Sequence, residues 1–200
     1  MRYGGNQLMG MLCNHMMEKL AELKMTQYRN RLRKYLVEKG VRVDFSTVNV
    51  SRTAQIYAGK NLHLGGGLTL NDNCVIDAED SYGIYVGNYL LAARDVFIRG
   101  GNHDYRFSEL PFQKRGHCAK KIKYKDRIYS IVIEDNVWIG RGATILSGAY
   151  IGKGSVIGAG AVVKEYIPEY SIVIGNPSQI VSNRKKYPNF DHKKDIGIFP

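Results

Sequence analysis

Residues 131–163 read IVIEDNVWIGRGATILSGAYIGKGSVIGAGAVV, and a period of six residues runs through the whole stretch. An aliphatic residue occupies every sixth position: Ile133, Ile139, Ile145, Ile151, Ile157 and Val163. Mostly small residues stand four places after the first five of these: Val137, Ala143, Ala149, Ser155 and Ala161. An α-helix repeats about every 3.6 residues and a plain strand about every two, so neither explains the pattern. The period predicts an all-β solenoid of short stacked strands, with one inward aliphatic side chain per repeat.

The same period extends towards the N-terminus, with two interruptions. Further inward positions are Ala58, Leu64, Leu70, Ile76, Val86, Ala92 and Ile98. Ten residues instead of six separate Ile76 from Val86, which predicts a small bulge near residues 79–83. Residues 103–130 lack the period and are rich in lysine and arginine. They are predicted to form a long excursion loop, and long departures from a regular scaffold are often functional.

The N-terminal segment has a different pattern. Apolar residues recur at three- and four-residue spacing over residues 6–39, which predicts a helix that stops at Gly40. We therefore divide the chain into a helical segment at 1–45, a solenoid domain at 46–184 and a polar tail at 185–200. The basic face of the helix is typical of a solvated surface. Proximity to a membrane surface is a second, weaker interpretation.

Composition narrows the class of protein. The 200 residues carry a net charge of +11, which indicates an anionic partner. No helix-turn-helix, zinc-finger or aromatic-platform pattern is present, so nucleic acid is not the predicted partner. The thiols of Cys13, Cys74 and Cys118 have no C-x-x-C spacing and are predicted to be free. With no signal-peptide pattern and no apolar run of about 20 residues, the prediction is a cytoplasmic protein.

Three motifs resemble a known family. Val-Trp-Ile-Gly at 137–140, Val-Ile-Gly-Ala-Gly-Ala-Val-Val at 156–163 and Gly-Asn-Pro at 175–177 resemble the hexapeptide-repeat acyltransferases. That family includes the galactoside and maltose acetyltransferases, the polysaccharide O-acetyltransferases and the xenobiotic acetyltransferases. The resemblance implies a left-handed parallel β-helix and a homotrimer with active sites between subunits. It also implies acetyl-CoA as the acyl donor, with no metal.

The resemblance also implies a catalytic histidine. In the family this residue lies 16 positions after a coil glycine, and 16 positions after Gly87 stands His103, at the start of the excursion. An imidazole can accept the proton of an attacking hydroxyl near neutral pH. His63 and His117 lack this register and are interpreted as incidental, and Asp104 is not expected to orient the base.

Further binding residues are implied by the same resemblance. Asn71, in Asn-Asp-Asn, is a candidate acceptor contact, with a structural coil corner as an equal alternative. Trp138 matches a residue lining the acetyl tunnel, and so counts as both substrate- and cofactor-binding. The candidate coenzyme A contacts are Trp138, Gly140, Arg141, Ala159 and Lys164. Gln179 and Ser182 stand where relatives carry phosphate-binding arginines, and Arg184 is the expected substitute.

These observations predict an enzyme that moves an acetyl group from acetyl-CoA to a hydroxyl of a sugar or polysaccharide precursor. An antibiotic or nucleotide-linked sugar acceptor is an alternative, as is a non-catalytic trimeric scaffold. A γ-type carbonic anhydrase needs zinc histidines separated by four residues. The five histidines, His15, His63, His103, His117 and His192, offer no such pair.

Overall fold

The computed structural model describes residues 4–41, 43–106 and 109–186. The chain divides into two compact units, Met1–Gly40 and Val41–Pro200. The boundary therefore falls five residues earlier than the sequence pattern placed it. The predicted tail at 185–200 lies outside the described residues after Lys186.

The first unit consists of one helix, α1 (Gly4–Glu38). Gly40 follows it with a φ of +73°, and its N–H donates to the Val37 carbonyl at 2.9 Å, which confirms the predicted glycine stop. Met16, Leu20 and Leu23, three members of the predicted apolar face, are exposed. No helix in the described residues is both long enough and apolar enough to span a bilayer.

The second unit is a β-helix whose strands stack in three faces. The first face holds β1 (Asn49–Val50), β4 (Thr69–Leu70), β7 (Leu91–Ala92), β14 (Trp138–Ile139), β17 (Val156–Ile157), β20 (Ser171–Ile174) and β21 (Gln179–Asn183). The second face holds β2 (Gln55–Tyr57), β5 (Val75–Asp77), β8 (Phe97–Arg99), β15 (Thr144–Leu146) and β18 (Val162–Val163). The third face holds β3 (His63–Leu64), β6 (Ile84–Val86), β13 (Ile131–Ile133), β16 (Tyr150–Ile151) and β19 (Tyr166–Ile167).

Neighbouring strands within a face are parallel, except that β21 runs antiparallel to β20 at the end of the first face. Consecutive strands along the chain visit the three faces in turn, so one coil takes three repeats. In the regular part this gives 18 residues, as between Ile133 and Ile151, which are paired across β13 and β16. The all-β solenoid predicted from the period of six is confirmed.

The inward ladder forms the core of the β-helix. Its members have no accessible surface in the last coils: Ile133, Ile139, Ile145, Ile151, Ile157 and Val163 are all fully buried. Cys74 is also buried on an inward position, as the register predicts, and its thiol donates to the Ala93 carbonyl at 2.8 Å. Stacking like residues on like keeps the backbone ladders unbroken and buries apolar surface between coils.

Three corners join the faces. The first corner follows the first-face strands, at residues such as 140–143 and 158–161. The second corner follows the second-face strands, at residues 78–83, 100–130, 147–149 and 164–165. The third corner follows the third-face strands, at residues such as 152–155 and 168–170. The long excursion therefore leaves and re-enters the β-helix at the second corner.

The excursion is more ordered than the sequence pattern predicted. It contains two antiparallel hairpins, β9 (Asn102–His103) with β10 (His117–Cys118) and β11 (Ile122–Tyr124) with β12 (Arg127–Tyr129). A short 3₁₀ turn at Phe112–Lys114 lies between them. Ile122 and Tyr124 alternate with lysines, and this short strand pattern was not recognised among the many charged residues of the excursion.

The second hairpin packs on the outer side of the third face. Tyr85, Tyr129 and Val132 form a buried cluster against which Ile122, Tyr124 and Tyr150 pack, and we name these six residues the tyrosine cluster. The hydroxyl of Tyr150 donates to Glu134 Oε1 at 2.7 Å. Burial, with the Glu134 carboxylate, raises the pKa of Tyr124 to about 12. The cluster fixes the end of the excursion to the rigid β-helix.

Candidate active site

His103 lies on β9, where the excursion leaves the second corner. Its side chain is exposed, and its backbone N–H donates to Asn102 Oδ1 at 2.9 Å. The facing strand β10 brings Cys118 close, and the Cys118 thiol lies 3.5 Å from the His103 carbonyl oxygen. A histidine held on a short hairpin beside a rigid scaffold has the accessibility that a general base needs.

Asp104 does not orient this histidine. Its carboxylate accepts two hydrogen bonds from the Arg106 guanidinium, at 2.8 Å to Oδ1 and 2.5 Å to Oδ2. These bonds hold the pKa of Asp104 at about 2, so the carboxylate stays ionised at neutral pH. The expectation that Asp104 plays no part in orienting His103 fits this geometry.

His117, which the sequence analysis interpreted as incidental, lies directly beside His103. It pairs directly with His103 across β9 and β10, and the two ring centroids are 4.9 Å apart. Its Nε2 lies 3.3 Å from Asp80 Oδ2. Spacing along the chain gave no sign of this contact, because the pairing depends on a hairpin that interrupts the six-residue period.

His63, the other histidine set aside from the sequence, lies elsewhere. It is on β3 of the third face, where its ring stacks on Tyr85 with centroids 4.5 Å apart and an interplanar angle of 4°. Burial, with the positive charges of Lys125 and Arg127, lowers the pKa of His63. Its role here is packing, in agreement with the sequence interpretation.

A cavity of about 770 Å³ opens at the second corner, and its wall includes Asn102, the residue before His103, but not His103 itself. Its walls come from three successive coils and from the excursion: Arg99, Gly101, Asn102, Tyr105, Arg106, Cys118, Ala119, Lys120, Leu146, Ser147, Lys164 and Glu165. Lys120 is fixed at its backbone, where its N–H donates to Ser147 Oγ at 2.7 Å. The cavity therefore runs along the β-helix from the last coil to the strand that carries His103.

The cavity wall is predominantly cationic. Arg99 is neutralised by Asp77 at 2.7 Å, and Arg106 by Asp104. Lys120 and Lys164 form no ion pair with any residue in the described ranges. The Glu165 carboxylate in the same wall offsets only part of these two positive charges, so the wall favours an anionic ligand.

The other candidate residues cluster at the first corner. Trp138 is half exposed on β14, two residues before Gly140 and three before Arg141. A Cβ on Gly140 would stand 2.6 Å from the Ala159 backbone nitrogen, so glycine permits the coils to stack here. Ala159 is exposed, and Arg141 pairs with Asp95 at 2.9 Å.

Asn71 stands at the same first corner, two coils before Gly140. Its Nδ2 donates to the Ala92 carbonyl at 2.8 Å, which ties its coil to the next one. This bond supports the structural alternative for Asn71. Contact between Asn71 and an acceptor stays a prediction.

The candidate cofactor residues do not converge within one chain. Ala159 lies at the first corner, Lys164 at the second, and Arg184 beside the third, where its guanidinium donates to the Gly154 carbonyl at 2.6 Å. Within one chain, the candidate coenzyme A contacts Ala159, Lys164 and Arg184 are therefore divided among three corners, and their contact with the cofactor stays a prediction. The reason is geometric, since five residues along a coil carry the chain from one corner to the next.

No group of three histidine, cysteine, aspartate or glutamate side chains within residues 4–41, 43–106 and 109–186 has metal-site geometry. The side chains that the structure describes at this site include the His103 imidazole, the cationic groups of the cavity wall, the Cys118 thiol and the Glu165 carboxylate.

Comparisons with known proteins agree with this architecture. The sequence model of the bacterial transferase hexapeptide (six repeats) matches residues 130–165. The galactoside O-acetyltransferase of Lactococcus lactis subsp. lactis (strain IL1403) is 34% identical over 144 residues, covering 71% of this chain and 63% of that protein. The chain thus spans somewhat less than two thirds of that relative.

Two solved structures are similar in fold. A maltose O-acetyltransferase from Clostridium difficile 630 superimposes with a TM-score of 0.60 at 25% identity, covering 82% of this chain and 84% of the other. A galactoside acetyltransferase in complex with coenzyme A gives a TM-score of 0.58 at 24% identity, covering 86% and 84%. The chain is a hexapeptide-repeat protein with the left-handed parallel β-helix fold, and it resembles the galactoside and maltose O-acetyltransferases.

Proposed function

We propose that the protein transfers an acetyl group from acetyl-CoA to a hydroxyl of a sugar or polysaccharide precursor. The observation that carries the proposal is the exposed His103 on a hairpin beside a cationic cavity of about 770 Å³. A cofactor with phosphate groups suits such a wall, and a saccharide hydroxyl needs a base to attack a thioester.

In the proposed mechanism His103 is the general base. Its imidazole takes the proton of the acceptor hydroxyl while the hydroxyl oxygen forms a bond to the thioester carbonyl carbon. The tetrahedral oxyanion collapses, the C–S bond breaks, and the imidazolium returns the proton to the leaving thiolate. Transfer is direct, so no acyl-enzyme intermediate forms.

The acyl donor and the acceptor class are inferred from the similar proteins. One structural relative was solved with coenzyme A, and three similar proteins, that one included, are named for galactosides or maltose as acceptors. An antibiotic or a nucleotide-linked sugar is the alternative acceptor. The free thiols of Cys74 and Cys118 suit a reducing compartment, so we place the reaction in the cytoplasm.

A thiol-release assay with acetyl-CoA and a panel of acceptors tests the function. We expect acceptor-dependent release of coenzyme A with galactosides, maltose or larger saccharides, and none without an acceptor. Release with nucleotide-linked sugars or antibiotics alone would change the acceptor class. If no acceptor gives release although acetyl-CoA binds, the non-catalytic scaffold is the better explanation.

Lys164→Ala is expected to raise the KM for acetyl-CoA about tenfold and leave kcat nearly unchanged, because a charge-assisted contact to phosphate would be lost. Steady-state kinetics at low and high salt measure it, with Lys60→Ala, on an exposed turn, as the matched control. An unchanged KM for acetyl-CoA would show that Lys164 does not contact the cofactor.

We further propose that the protein works as a homotrimer in which the first corner of one subunit faces the cavity of the next. This arrangement brings Trp138 and Ala159 near a neighbour's His103. Exposed apolar side chains on the first face support it, since Leu91 and Trp138 are paired across β7 and β14 and are 44% and 50% exposed. Such a stripe marks an interaction surface.

Sedimentation should give a species of three times the 22.5 kDa chain mass at micromolar concentration. Leu91→Asp is expected to shift it towards monomer, because a carboxylate would be buried in the subunit contact. Asn136→Asp, at the exposed third corner away from the proposed contact, should remain trimeric. A stable wild-type monomer would contradict the assembly.

A further inference from the structure

The turn at residues 79–83 has no place in the six-residue repeat. It adds four residues between Ile76 and Val86 and projects at the second corner, one coil before the excursion begins. The excursion leaves directly against this turn, because a Cβ on Gly101 would stand 2.4 Å from the Asp80 carbonyl oxygen. Tyr82 of the same turn also meets Lys121, whose Nζ lies 5.0 Å from the ring centroid.

The turn reaches the candidate base through His117. The Asp80 carboxylate lies 3.3 Å from His117 Nε2, and the His117 ring lies 4.9 Å from the His103 ring at an angle of 33°. Asp80 has a φ of +53°, a conformation that aspartate, asparagine and glycine tolerate and that β-carbon-branched residues avoid. Asp80 thus combines the positive φ of the turn with the carboxylate that contacts His117.

We propose that His117 and Asp80 are positioning residues for His103, and this inference rests on the proposed function. His117 occupies the space on one side of the His103 ring and limits its rotation, while Asp80 accepts a hydrogen bond from His117 Nε2 and fixes that ring in turn. An exposed base would otherwise sample several rotamers. Holding it in the productive one raises the rate without adding a contact to either substrate.

The location of the turn supports this role over a purely structural one. The β-helix stacks without extra residues in its last coils, so the solenoid does not require the insertion. Its contacts with the excursion include the pair Asp80–His117 and the contact between Tyr82 and Lys121. Both lie on the segment that carries or faces His103.

Four variants separate ring contact from hydrogen bond. His117→Ala removes both, whereas His117→Phe keeps a planar ring against His103. Asp80→Gly removes the carboxylate without straining a positive φ, and Asp80→Asn keeps an oxygen acceptor in the same conformation. His15→Ala, on an exposed part of α1, is the matched histidine control.

We expect His117→Ala and Asp80→Gly to lower kcat about tenfold, with both KM values and the thermal midpoint unchanged. Asp80→Asn, which keeps an acceptor for His117 Nε2, should have a kcat within about threefold of wild type, whereas His117→Phe, which keeps the ring and loses the hydrogen bond, should fall as far as Asp80→Gly. In a His103→Ala background, His117→Ala should have no further effect, because it acts through His103. A His117→Ala kcat within twofold of wild type, or a raised KM with a lowered thermal midpoint, would overturn the proposal.

A measurement on the unreacted protein separates this inference from the proposed function. The imidazole proton signals of His103, assigned by NMR from their loss in His103→Ala, should move in His117→Ala and Asp80→Gly and stay in place in His15→Ala. If the His103 signals move although the wild type transfers no acetyl group, the positioning contact is confirmed and the proposed function is wrong. If they do not move, the inference is wrong whatever the activity.

Discussion

Replacing His103 with alanine is expected to lower kcat for acetyl transfer by about a hundredfold or more, the usual contribution of a general base. Without the imidazole the acceptor hydroxyl must attack the thioester while it still holds its proton. Neither Asp104 nor His117, two titratable neighbours in the described residues, is placed to take over. Asp104 is bound to Arg106, and His117 is turned towards Asp80.

Binding of coenzyme A and assembly should survive the same substitution, because His103 is exposed and its side chain supports no core contact. Calorimetry with coenzyme A and sedimentation measure these two properties beside the rate. His15→Ala serves as the control for loss of a histidine outside the site. Turnover of His103→Ala near that of wild type would remove His103 from the mechanism.

The β-helix could be predicted from the sequence because every coil buries the same kind of residue at the same positions. An inward residue on one strand meets the residue one coil away, as Ile139 meets Ile157 and Ile145 meets Val163. The period of six is thus a direct record of the contacts in the core. The bulge at residues 79–83 could also be predicted from the sequence, because the four inserted residues shift the spacing between Ile76 and Val86 from six to ten.

The candidate site was only partly readable, because the excursion keeps no period. Position along the chain and family resemblance pointed to His103, but its partner His117 lies 14 residues further on. Asp80 is on a different coil. Contacts of this kind depend on how a hairpin folds back over a corner, and no local spacing encodes that path.

The binding residues illustrate a second limit. The family resemblance implied coenzyme A contacts for Ala159, Lys164 and Arg184, and the structure places the three at different corners of one chain. The six-residue register tells which face or corner a residue occupies, and it separates these residues correctly once the strands are counted. The register does not tell which corner of a neighbouring subunit lies opposite a given corner. The residues of a site shared between subunits therefore cannot be predicted from the register.

Ile151→Asn is expected to destabilise the β-helix by about 4 kcal/mol or more, among the largest effects of any single change in the chain. Ile151 is fully buried and stacks between Ile133 and Ile167 on the third face. The substitution removes apolar contacts on both sides and places an amide where no hydrogen-bond partner is available. For a unit of this size, the loss corresponds to a thermal midpoint about 10 °C lower.

Lys153→Asn is the matched control, because the same residue type is introduced two positions along the chain on the outer surface. Lys153 is exposed, and its only side-chain ion pair in the described residues is with Glu169 at 3.2 Å. An exposed pair contributes at most about 1 kcal/mol, so this variant should melt within about 3 °C of wild type. Both midpoints are measured at one scan rate and one protein concentration, since unfolding of an oligomer depends on each. If the two variants melt alike, or if Lys153→Asn melts lower, then Ile151 does not point into the core and the six-residue register is wrong.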